Sequence, residues 1–111
     1  WVWADLAKMG DSGKIMVENR IDYYQIALKS FKFKEPVNPT VLSDDELRNM
    51  DMTTLFVVGS NETVYKGSDA INRLNRVNPS IETALIEDTG HDLMFTHTET
   101  LNRLIINFLS Q

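Results

Sequence analysis

The run TTLFVVG, residues 53–59, constrains the fold more than any other stretch of this chain. Its apolar residues fall on both alternations of a strand, Leu55 and Val57 on one side and Phe56 and Val58 on the other. Successive strand side chains point to opposite faces, so both faces of this strand call for apolar cover. That is the pattern of a parallel sheet with helices on it, and it predicts an α/β fold.

The neighbouring segments fit that frame. In SIETALIED, residues 80–88, Ile81, Thr83 and Leu85 alternate with Glu82, Ala84 and Ile86, so this predicts a second strand. Its more polar face places it nearer a sheet edge. Between the two, GSDAINRLNRVNP predicts a helix over about 68–76, with Ala70, Ile71, Leu74 and Val77 inward and a stop before Pro79. A strand–helix–strand unit of this length favours parallel pairing. Two strands are too few for a stable sheet, so the unit reads as part of a larger one. Residues 98–109 carry Leu101, Leu104, Ile105, Phe108 and Leu109 at helical spacing and predict a closing helix behind that sheet.

Upstream, Ser43 and Glu46 in SDDELRNM form a capping-box signature and predict a short helix. Residues 14–33 contain neither Pro nor Gly, and Val17, Ile21, Tyr24, Ala27, Leu28 and Phe31 recur at three- and four-residue spacing. This predicts an amphipathic helix, ended by Pro36 and Pro39. GDSG at 10–13 reads as a turn separating it from WVWADLAKM. The organisation is therefore a helical cap or lid segment, residues 1–39, followed by an α/β core segment, residues 40–111.

Eleven basic and sixteen acidic residues give a net charge of −5, which argues against nucleic-acid or anionic-membrane partners. The sequence has no cysteine, so disulfides, thiolate metal sites and cysteine nucleophiles are excluded. That composition fits a reducing compartment, and a cytoplasmic location is expected. No apolar run approaches the ~18 residues of a membrane span. His91 and His97 stand six apart, with Asp92 and Glu99 nearby, which is no metal-ligand spacing. Gly59, Gly67 and Gly90 do not form a phosphate loop. Neither a metal nor a cofactor is expected. The chain opens on Trp1, which suggests that further residues precede it.

Chemistry concentrates where the strands end. Glu62 lies three residues past Gly59 in GSNETVY, and His91 follows Gly90 in EDTGHDLMF. Adjacent parallel strands run ~5 Å apart, so these loops are neighbours at the carboxyl edge of the sheet. A carboxylate there can accept the imidazole Nδ1 hydrogen and hold Nε2 ready to take a proton. The same residues also fit a solvated loop Glu and a His capping a turn, and spacing leaves both readings open. GDSG is not a chymotrypsin-type nucleophile, since its surroundings are helical and lack the required glycine and proline. No G-x-S-x-G occurs in the chain. The aromatics Trp1, Trp3, Tyr23, Tyr24, Phe31 and Phe33 serve a core, or line an apolar pocket.

From about Leu42 to Leu109, the motifs in order resemble the C-terminal part of an α/β-hydrolase fold protein. LFVVGSNETVY resembles the family's strand and G-x-x-D/E element, GH at 90–91 its histidine element, and TETLNRLIINFL its closing helix. Residues 1–39 resemble the helical cap that many members carry. The resemblance implies that His91 is the general base of a Ser-His-acid triad and that Glu62 is the acid orienting it. Most members have Asp at that acid position. It also implies a small ester, thioester or amide substrate, with Trp3, Tyr23, Tyr24 and Phe31 on the substrate side. The nucleophile elbow and oxyanion loop belong to the N-terminal half of such a fold. The expectation is a chain inactive alone, whose partner is that half or a second copy meeting the sheet edge. The alternatives are a non-catalytic binding or regulatory module of the same descent, and an autonomous small α/β domain.

Overall fold

The computed structural model describes residues 10–32 and 40–111. These fall into two compact units, one holding the first helix and the other spanning Leu42–Gln111. Trp3 lies outside the described residues.

The first helix, α1, is Gly10–Ser30. It therefore includes GDSG, which the sequence suggested as a turn. Gly10 opens it at φ +60°, a left-handed backbone that glycine tolerates. Asp11 in the first turn and Lys29 in the last complement the helix dipole. Ile21, Tyr23, Tyr24, Ile26, Leu28 and Phe31 are exposed, and Val17 and Ala27 are half-buried.

In the second unit the order is α2 (Asp44–Arg48), β1 (Leu55–Gly59), α3 (Gly67–Val77), β2 (Glu82–Ile86), α4 (Leu93–Thr96) and α5 (Thr98–Leu109). Strands β1 and β2 pair in parallel, from Leu55 opposite Glu82 to Gly59 opposite Ile86. The α/β class and the parallel pairing are as the alternation in TTLFVVG required. Helix α3 packs on both strands and α2 packs on α3. Leu47, Leu74, Val77 and Ile81 form the core, with Met50 and Phe56 against it. Each such buried side chain stabilises by about 1.5–3 kcal/mol. The cover over β1 is uneven: Val58 and Gly59 are buried, whereas Leu55, Phe56 and Val57 are half-buried.

Polar ties fix α2 to this core. Ser43 caps α2 reciprocally with Glu46, as the capping-box signature required. Asn78, buried at the end of α3, donates from Nδ2 to the Leu47 and Met50 carbonyls at 2.9 and 3.0 Å. Its Oδ1 accepts from the Ser80 amide and hydroxyl. Arg73 donates to Asp44 and to the Leu42 carbonyl, and its guanidinium holds the Asp44 carboxyl below the usual range.

Two expectations need correction. The second strand is Glu82–Ile86 rather than 80–88, and at its end Asp88 takes φ 57° and turns the chain out of the ladder. The closing helix α5 has the expected bounds, but none of its residues is fully buried; it packs on the short helix α4, with Leu101, Leu104 and Phe108 half-buried.

Candidate active site

The register of the sheet builds the site. Gly59 and Ile86 end their strands side by side, so both following loops leave from one edge. The Ser60 amide continues the ladder to the Ile86 carbonyl at 2.9 Å, and the Asn61 amide reaches the Thr89 carbonyl at 2.9 Å. The Ser60 hydroxyl accepts from the Asp88 amide at 3.0 Å. The two loops are thus stitched together before either functional side chain is reached.

Gly59 makes this closeness possible. A Cβ on it would lie 2.2 Å from the Thr89 carbonyl oxygen and 2.7 Å from that of Gly90. Any side chain there would push the loops apart, because both obstacles are backbone.

Across the stitched loops, His91 Nδ1 lies 2.8 Å from Glu62 Oε2. The Glu62 side chain is only 3% exposed, while that of His91 is 46% exposed. The other carboxylate oxygen, Oε1, accepts from the Thr63 and Val64 amides at 2.7 and 2.8 Å. Burial of Glu62 pushes its pKa up, but the Val64 amide, His91 and the Thr63 amide together outweigh that, and the net shift is downward. Glu62 is therefore an ionised acceptor near neutrality, and Nδ1 must carry the hydrogen it receives. In the neutral imidazole this leaves Nε2 as the nitrogen that can take a proton. The arrangement is a half-exposed imidazole, oriented by a buried carboxylate that backbone amides hold in place.

Burial, followed by the Glu62 charge, raises the Tyr65 hydroxyl pKa, which places that phenol in the carboxylate's field. Thr89 is 1% exposed, and its hydroxyl pairs with that of Thr96 at 2.6 Å. Sequence reasoning missed Thr89, Thr63, Val64 and the helix α4; the sole signal was a Thr directly before Gly-His. An apolar hollow of about 290 Å³ lies at the other end of the strands, lined by Leu42, Met50, Thr54, Phe56, Leu74 and Ile81 among others. Tyr23, Tyr24 and Phe31 belong to the unit of α1, where they are 78%, 67% and 69% exposed. Among the described residues no cluster of His, Asp and Glu suits a metal. No described helix is long and apolar enough to cross a membrane.

Comparison with known proteins finds two esterases similar to this chain. Carboxylesterase YbfK of Bacillus subtilis is 28% identical over 86 residues, which cover 78% of this chain and 29% of that protein. The crystal structure of the same esterase, CesB (YbfK), superposes with a TM-score of 0.63 at 28% identity, over 73% of this chain and 28% of that one. The chain carries part of an α/β-hydrolase fold. A second Bacillus subtilis protein, the uncharacterized carboxylesterase nap, is 29% identical over 72 residues, or 65% of this chain and 24% of that one. No protein-family model matches. The chain spans less than a third of the length of these esterases.

Proposed function

We propose that this α/β-hydrolase segment supplies the base and the acid of a carboxylesterase-type serine hydrolase. His91 is the general base and Glu62 the residue that orients it. The observation carrying the reading is the 2.8 Å bond from His91 Nδ1 to a carboxylate whose other oxygen is bound by two backbone amides. Such a carboxylate fixes the tautomer and stabilises the imidazolium formed when Nε2 takes the nucleophile's proton. The Glu for Asp exchange is accommodated because Glu62 is buried and gripped at both oxygens. The similarity to two carboxylesterases supports an ester as the substrate class.

The nucleophilic serine and the oxyanion donors come from residues outside these 111, since the chain holds no G-x-S-x-G. A base and acid without them lose most of the catalysis, so the segment alone is inactive. A serine-directed phosphonate tests this on the complete protein. The expected result is one covalent adduct, mapped to a serine outside the 111 residues, with labelling abolished by His91→Ala. A complete protein that reacts with no such probe and hydrolyses no short-chain ester is instead a binding module of the same descent.

A further inference from the structure

We propose that Thr89 is a positioning residue for His91, acting as a buried two-sided clamp; the proposal rests on the reading of His91 as the base. Through its carbonyl, Thr89 accepts the Asn61 amide at 2.9 Å and so holds the loop that carries Glu62. Through its hydroxyl it pairs with Thr96 at 2.6 Å, in the short helix that follows His91. His91 therefore lies on a span tied at Thr89 and again at Thr96, with the Glu62 loop fastened to the same residue.

The Thr89–Thr96 pair is the shortest contact of a small polar network. Thr96 Oγ1 stands 3.3 Å from the Asp92 carbonyl, 2.6 Å from Thr89 Oγ1 and 3.1 Å from His97 Nδ1. A hydroxyl has one hydrogen and two acceptor positions. The Asp92 carbonyl already accepts from the Phe95 and Thr96 amides at 2.9 and 3.2 Å, so the short Thr89–Thr96 contact is the main tie of the two hydroxyls. Either hydroxyl can donate in it, and removing one leaves the other without that partner. This network lies apart from the apolar core of Leu47, Leu74, Val77 and Ile81, so removing it should move His91 before it unfolds the chain.

The test uses the complete protein with Thr89→Val, which keeps the shape and removes the hydroxyl, and Thr89→Ser, which restores it. Imidazole nitrogen NMR reads the His91 tautomer, and a short-chain ester reads kcat and KM separately. Thr89→Val should convert the single Nδ1–H tautomer into an averaged one. It should also lower kcat roughly 10- to 100-fold with KM unchanged, as expected for a displacement of a fraction of an ångström at the base. Thr89→Ser should recover both. Should Thr89→Val fail to fold, Thr96→Val breaks the same pair from the half-buried side and must give the same two losses. A folded valine variant with the native tautomer and native kcat overturns the proposal, as does a serine variant that restores neither. The NMR readout needs no activity, so it tests the clamp even if His91→Ala leaves turnover intact, a result that would remove the catalytic role and with it Thr89's part in catalysis.

Discussion

Gly59→Ala is the sharpest perturbation of the site, because its consequence can be worked out from distances. The added Cβ would sit 2.2 Å from the Thr89 carbonyl oxygen and 2.7 Å from both the Thr89 carbonyl carbon and the Gly90 oxygen. All three are backbone atoms, so no rotamer change relieves the clash. The strand end and the Thr89–Gly90 loop must separate by about 1 Å to reach ordinary contact. That motion breaks the Asn61 amide bond to Thr89, now 2.9 Å, and stretches the His91–Glu62 contact, now 2.8 Å, beyond hydrogen-bonding range. Overpacking costs about 1–3 kcal/mol, and each lost bond about 1 kcal/mol. Gly59→Ala should therefore lose about 3–5 kcal/mol in urea unfolding of the complete protein. Ester turnover should fall roughly 100-fold, because the base and acid no longer meet. An alanine variant within 0.5 kcal/mol of the native protein, with unchanged turnover, would refute the argument that close loop approach builds the site.

Other consequences follow from the same geometry. Glu62 has a lowered pKa, so its stabilising contribution is complete above its ordinary value of 4.5 and is lost as pH falls through the lower folded value; acid titration of stability should show that loss in the native protein and a smaller one in Glu62→Gln. Asn78→Ala removes donors from the Leu47 and Met50 carbonyls and should cost about 2–4 kcal/mol in urea denaturation, without altering the His91 tautomer read by NMR. Ser43→Ala opens the capping box at an exposed site and should cost about 1 kcal/mol, seen as a small drop in melting temperature with turnover preserved.

Much of the fold could be read from local chemistry. The doubly apolar alternation of Leu55 to Val58 announced a parallel strand, and the spacing of Ala70, Ile71, Leu74 and Val77 gave the crossover helix. Ser43 with Glu46 gave a helix start because a capping box is a contact between residues three apart. What failed was governed by backbone angles or by distant partners. Nothing in Glu87-Asp88 announces a φ of 57°, and the second strand runs two residues short of its expected end, as it also does at its start. GDSG carries turn residues, yet Asp also suits the first turn of a helix, and α1 places Asp11 there. That the loops of Glu62 and His91 are neighbours follows from parallel pairing of the strands, whereas spacing leaves the contact of the two side chains open. The amides of Thr63 and Val64, and the hydroxyl pair of Thr89 and Thr96, could not be anticipated. They depend on how a loop folds back on itself and on a four-residue helix too short to leave a periodic signal.

On the proposed reading, His91 acts as a base held by Glu62. The most direct test is kcat/KM for a short-chain ester with the complete protein and its His91→Ala variant, both shown to be folded. If His91 is the base, the variant loses roughly 10⁴-fold or more, the scale seen when a member of a Ser-His-acid triad is removed. Turnover within a few-fold of the native protein would rule that role out.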